Sequence, residues 1–144
     1  MIMIARTFTV SAPPAPVRDH LTDFGNTTTR PAVRTGSGPV TTWHTVSKVF
    51  GVTVELAHTL QVAEPGLLVF AGHGESATST DTITLRPVLA GTELTYRVEL
   101  ELHGLAKLAT ARLRREFEKL GDRTALHLTE VLNRLTVGRS DVSG

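Results

Sequence analysis

The chain contains no cysteine, which removes disulfides, thiolate metal sites and cysteine nucleophiles together. It also lacks a dominant charge: fifteen Lys and Arg stand against fourteen Asp and Glu, a formal +1. Nucleic-acid binders carry a basic stripe and a strongly basic pI, so no nucleic-acid partner is expected. No run of about 18 apolar residues occurs, so no stable membrane insertion is expected. The opening Met1-Ile2-Met3-Ile4-Ala5-Arg6 shows neither the basic nor the apolar region of a secretory signal. The default expectation is therefore a cytoplasmic, bacterial protein. The six histidines form no His-x-x-x-His or His-Glu-x-x-His arrangement, which argues against a zinc enzyme. Gly36-Ser37-Gly38 lacks the lysine and the spacing of a phosphate loop, and no Gly-x-Ser-x-Gly elbow is present. No metal and no cofactor are expected. Aromatic residues are scarce at 5%, with one Trp and one Tyr.

What is present is ordinary globular material. The 144 residues are 40% hydrophobic, with a mean hydropathy of +0.02, enough for one domain over 1–144 that needs no staple. Residues 4–10 alternate apolar and β-branched polar side chains and predict a first strand. Pro13, Pro14 and Pro16 suit a first helical turn, where a missing N–H costs nothing. Val17, Leu21 and Phe24 recur at helical spacing, so a short helix is predicted over about 14–24, with one more irregular turn before Pro31.

Residues 33–102 read as strands separated by turn residues: 33–35, 40–49, 53–63, 67–71, 77–86 and 92–102. Connections this short imply sequential antiparallel pairing, because a parallel neighbour needs a long crossover. After Gly104 the period changes to 3.6. Leu105, Leu108, Ala109, Leu113, Phe117, Leu120, Thr124, Leu128, Val131 and Leu135 fall on one stripe. One helix over about 105–137 is predicted, roughly 45 Å long at 1.5 Å per residue. Gly121 is the point where it would bend, and 138–144 form a polar tail expected to fray.

In the last strand Leu94, Tyr96, Val98, Leu100 and Leu102 share one face; Thr95, Arg97, Glu99 and Glu101 share the other. So clean an alternation means one covered and one wet face. Pairing across Ala90-Gly91 adds Leu85, Ile83, Asp81, Ser79 and Ala77 to the covered face, and only the long helix is large enough to cover it. A curved sheet around one helix needs large side chains to fill its interior, and aromatics are few. Ala77, Ser79 and Asp81 are small or polar at one end, which predicts a cavity there with convergent polar groups, as a small-molecule site requires. The alternative is a bulge that turns Asp81 outward, or loops that fill the gap.

Phase points further residues inward. His58 runs with Val54, Leu56, Leu60 and Val62, either as a proton-handling imidazole or as a core histidine satisfied by a carbonyl. Trp43, with Thr45, Ser47 and Val49, faces the same way and serves as a cavity wall or as plain core. Leu68 and Phe70 are placed inward on bulk alone. Tyr96 and Asp81 lie on neighbouring strands, Tyr96 near Ile83 and Asp81 near Val98. They can orient a ligand hydroxyl, share a proton or simply bond each other. Lys107, Arg112, Arg114, Arg115, Lys119 and Arg123 outnumber Glu116, Glu118 and Asp122 by three. That face is read as a solvated helix surface rather than a lipid-docking one.

The order of strand, two short helices, meander and long C-terminal helix is similar to the helix-grip fold of the START/Bet v1-like (SRPBCC) superfamily. Ala15-Pro16-Val17-Arg18-Asp19-His20-Leu21-Thr22-Asp23-Phe24, Ala77-Thr78-Ser79-Thr80-Asp81-Thr82-Ile83-Thr84-Leu85 and the run Gly91 to Leu105 resemble its bacterial polyketide cyclase/dehydrase and lipid-transport group. The resemblance spans about 4–136. It implies an α+β fold in which a curved antiparallel sheet wraps a long C-terminal helix. It also implies a family of hydrophobic-ligand carriers, aromatase/cyclases and hormone receptors. Its cyclases are expected to hold an arginine or similar polar groups deep in the cavity, whereas here Arg97 falls on the wet face and Arg86 at a strand end.

Three readings of function follow. The first is a module that binds a hydrophobic or amphipathic small molecule, walled by Trp43, His58, Phe70, Ser79, Asp81, Ile83, Tyr96, Val98, Leu113, Phe117 and Leu120. The second is a polyketide cyclase or dehydratase with Asp81, Tyr96 and His58 as acid/base groups. The third is a partner-binding or stress-related protein whose cavity is incidental. A homodimer is left open.

Overall fold

Alternation along the first two-thirds of the chain resolves into seven strands in the computed structural model, which describes residues 1–27, 32–35, 41–49 and 52–143. The strands are β1 (Ile2–Val10), β2 (Ala32–Thr35), β3 (Thr42–Val49), β4 (Val52–Glu64), β5 (Leu67–His73), β6 (Ala77–Val88) and β7 (Gly91–Leu102). They form one curved antiparallel sheet in the order β1-β7-β6-β5-β4-β3-β2. Consecutive strands from β2 to β7 are neighbours, as the short connections require, and β1 closes on β7. The expected turns at 36–39 and 50–51, and the irregular turn before Pro31, lie wholly or partly outside the described residues.

The helix α1 (Pro14–Leu21) is followed by a 3-10 turn over Phe24–Asn26. The helix expected to reach residue 24 therefore stops at Leu21, and the second short helix is a single 3-10 turn. Asp23 is the cause. Its backbone is extended (φ −90°, ψ 113°), and its carboxylate accepts from Gly25 N–H at 2.9 Å and Trp43 Nε1–H at 3.0 Å. A short acidic side chain that caps a following turn ends the helix before it.

The long helix also has different limits from those expected. Residues 104–109 form a 3-10 turn, and α2 runs Thr110–Ser143. The Thr110 hydroxyl donates to Lys107 O at 2.6 Å, where the tighter turn gives way to α-helix. At the other end the backbone stays helical past Gly138, where a frayed tail was expected. One glycine costs a helix only about 1 kcal/mol, and no proline follows to stop it. The side chains of Leu105 and Ala109, assigned to the stripe, lie outside the described residues. Leu108, also assigned to it, is exposed.

Gly121 does not act as a bend. It lets α2 approach β1: a Cβ there would sit 2.5 Å from Ile4 Cγ2. Arg6 of β1 spans this contact, donating to Asp122 Oδ1 at 2.7 Å and Glu118 Oε2 at 2.8 Å. Both carboxylates are largely exposed, so the clamp sets register more than it adds stability.

The enclosed face carries two apolar clusters. One gathers Phe24, Trp43, Phe70, Ile83, Leu128 and Leu132 with α1, the other Ile4, Val54, Leu56, Leu100, Leu113 and Phe117. A bulge between Leu60 and Val62 sets Val62 opposite the half-buried Val69 rather than opposite a core residue. Val62 therefore leaves the inward phase that the alternation predicted.

Candidate ligand cavity

Between the two apolar clusters, four strands and α2 leave a gap. Its walls are Ile4, Val54, Leu56, His58, Ser79, Asp81, Tyr96, Val98 and Leu100 of the sheet, with Phe117, Leu120, Gly121 and Thr124 of the helix. Its volume is about 40 Å3, room for roughly three water molecules at 10–15 Å3 each.

Pairing register brings the polar groups together. Ile83 pairs with Tyr96 and Asp81 with Val98, so phenol and carboxylate lie diagonally on one face. Tyr96 Oη donates to Asp81 Oδ2 at 2.9 Å, with Asp81 5% and Tyr96 7% exposed. Asp81 is not turned outward. Across the sheet, Trp43 pairs with His58, His58 with Gly72, and Gly72 with Ser79. His58 Nε2 and Thr45 Oγ1 lie 3.0 Å apart. The Phe24 ring stacks on the imidazole, with centroids at 4.1 Å and planes 18° apart.

Gly72 is needed by this geometry. A Cβ there would lie 2.8 Å from His58 Nδ1 and would overlap Ser79 Oγ. The imidazole and the hydroxyl thus converge over the space that a side chain would fill. Ser79 Oγ is buried and has no hydrogen-bond partner among the described residues. A buried hydroxyl left in that state costs about 1–3 kcal/mol, which favours an incoming donor or acceptor.

Of the residues expected to wall a site, the cavity brings together His58, Ser79, Asp81, Tyr96, Val98, Phe117 and Leu120. Trp43, Phe70 and Ile83 do not line it. They close one end as solid packing, with Phe24 and Phe70 centroids 5.1 Å apart and Trp43 and Phe70 5.8 Å apart. Aromatics are few, but they are gathered in one place, and that is why the hollow is smaller than the composition suggested. Leu113 is fully buried in the other cluster and does not reach the gap. Ile4, Val54, Leu56, Leu100, Gly121 and Thr124 also line it and were not singled out for the site, although alternation placed Val54, Leu56 and Leu100 on the covered face. The signal for Thr124 was present: it is a polar residue on an otherwise apolar helical stripe. For Gly121 no local signal exists, since its role depends on where β1 lies. Arg97 and Arg86 point outward, paired with Glu99 at 2.8 Å and Glu93 at 2.9 Å. Among the described residues, no arginine lines the cavity, and none of their His, Asp and Glu form a group able to hold a metal.

A curved antiparallel sheet closed over one long helix, with a polar-floored gap between them, defines a helix-grip protein. The family model described as polyketide cyclase/dehydrase and lipid transport matches residues 1–130, and the chain belongs to that family. No curated protein matches the chain. Solved structures do. The protein TTHA0849 from Thermus thermophilus aligns with a TM-score of 0.66 at 17% identity, over 96% of this chain and 98% of that one. KanY aligns at 0.68 and 14% identity, over 91% and 97%. StfQ, a di-domain ARO/CYC from the steffimycin biosynthetic pathway, aligns at 0.66 and 11% identity, over 95% of this chain and 52% of its own. At such identities the likeness carries the fold alone. No helix among the described residues is long and apolar enough to cross a membrane.

Proposed function

We propose that the cavity binds a hydrophobic or amphipathic small molecule, lipid-like or polyketide-like, that carries an oxygen function. One observation carries this reading: Ser79 Oγ is buried without a hydrogen-bond partner among the described residues. It lies in a gap shared with the Tyr96–Asp81 pair and otherwise walled largely by apolar groups. A ligand carbonyl or hydroxyl at that point satisfies Ser79, while burial of the apolar remainder contributes about 25 cal/mol per Å2.

A second reading is favoured by the same pair. A phenol bonded to a carboxylate, in a cavity that an imidazole also lines, is able to pass a proton to or from a poly-β-keto chain, as a cyclase or dehydratase requires. In that case Asp81, Tyr96 and His58 are the acid/base groups. The family description and the ARO/CYC relative suit both readings.

Native mass spectrometry of the purified chain, with thermal shifts against tetradecanoic acid and a polycyclic phenol, tests the binding reading. A mass adduct or a raised Tm that survives Asp81→Asn supports it; no adduct and no shift with either probe contradicts it. Turnover of an aromatic poly-β-keto substrate that is lost in Asp81→Asn and Tyr96→Phe while affinity is kept would establish the enzyme instead.

A further inference from the structure

The cavity is too small for such a ligand as it stands, but it is not isolated. A second, open groove of about 300 Å3 lies on the flank of α2 that faces β3, lined by Val46, Ser47, Lys48, Glu116, Phe117, Leu120 and Arg123. Phe117 and Leu120 line both spaces. Two side chains three residues apart on one helix face therefore form the partition. Joined, the two spaces reach the lower end of the roughly 300–1,000 Å3 common for small-molecule sites.

The groove is cationic where the cavity is not. Lys48 and Arg123 are exposed, and neither is in an ion pair among the described residues. The groove's carboxylate, Glu116, lies 3.5 Å from Lys119. Two neighbouring acids on α2, Glu118 and Asp122, are taken by Arg6. Lys48 and Arg123 thus flank the groove as two cations, against one carboxylate that Lys119 already engages.

We propose that Phe117 and Leu120 gate the cavity and that the ligand is an anionic amphipath. This inference rests on the binding reading above. The chain displaces Phe117 and runs inward, bringing an oxygen function near its far end to Ser79, and the anionic head lies between Lys48 and Arg123. The head is a carboxylate or a phosphate; both meet two cations equally well.

Isothermal titration with tetradecanoate, tetradecyl phosphate and tetradecanol separates these elements. The two anions bind the native chain more tightly than the alcohol. Doubly substituted Lys48→Gln, Arg123→Gln weakens them about tenfold at low salt while leaving the alcohol unchanged. The larger loss, carboxylate or phosphate, identifies the head. In stopped-flow mixing, Phe117→Leu speeds association about tenfold for all three probes, because a smaller gate opens more often. Equal binding of all three probes, unchanged by the double substitution, overturns the anionic mouth and leaves the cavity reading intact. An association rate indifferent to Phe117→Leu overturns the gate. Failure of every probe to bind the native chain overturns the cavity reading together with this one. The charge variants lie on the surface, so their result does not depend on how Phe117 substitution affects folding.

Discussion

The two ends of the space between sheet and helix are built from opposite materials. At one end Phe24, Trp43, Phe70 and Ile83 interlock with Leu128 and Leu132 of α2. At the other, His58, Ser79, Asp81 and Tyr96 meet Phe117, Leu120 and Thr124 around a gap of about 40 Å3. Both are buried on the same sheet and covered by the same helix, so fold does not distinguish them. Side-chain volume and polarity do. The aromatic end spends its bulk on packing and holds the sheet on the helix. The polar end retains the buried Ser79 hydroxyl, which has no hydrogen-bond partner among the described residues; that is the condition for recognising a ligand and an unfavourable one for stability.

Substitutions at the two ends should therefore differ in size and in sign. Phe70→Ala opens the solid end and is expected to cost about 3–5 kcal/mol in urea unfolding; a loss below 1 kcal/mol would mean that this end is loosely filled too. Gly72→Ala drives a methyl into His58 Nδ1 and Ser79 Oγ and is expected to cost about 2 kcal/mol by overpacking. The same substitution should abolish the thermal shift given by tetradecanoic acid, and an unchanged shift would place the ligand elsewhere. Tyr96→Phe leaves Asp81 without its phenol donor, at about 1–2 kcal/mol. Ser79→Ala removes a hydroxyl that has no partner among the described residues, so stability should stay within about 0.5 kcal/mol or rise, while ligand affinity falls. A clear loss of stability in the free protein would show that Ser79 serves the fold.

The smallest effect expected lies outside both ends. His20 of α1 is held below the ordinary histidine value by burial, which Asp23 opposes and His127 reinforces. The unfolded chain, near 6.5, takes up a proton more readily than the folded one. Stability is therefore unaffected above about pH 6.5 and falls as pH drops through and below that value. A urea midpoint measured at pH 8 and pH 5 should fall less in His20→Gln than in the native chain; an equal fall would remove His20 from the account.

The strand order from β2 to β7, and the inward residues of β6, of β7 and of β4 as far as Leu60, were legible because alternation of period two is local and strong. The diagonal of Tyr96 and Asp81 followed from a short hairpin connection that leaves little freedom of register. What could not be read depended on contacts distant in sequence. Phe70 faces inward as expected, yet only the edge-on packing of Phe24 and Trp43 against it shows that this end is plugged. Gly121 looked like a helix defect and is a point of close approach, intelligible only with Ile4 opposite. The 3-10 turn before α2 follows apolar spacing that a helix would also satisfy, so periodicity alone placed the boundary too early. Val62 was misplaced for a similar reason, since a one-residue bulge reverses the facing of every residue beyond it.

Amide chemical-shift mapping of the native chain during titration with tetradecanoate tests the contrast between the ends most directly. Shifts concentrated at Ser79, Tyr96, Gly121 and Thr124, with Phe24, Trp43 and Phe70 unmoved, are the predicted result. Shifts centred on the aromatic end, or none at saturating probe, would contradict it.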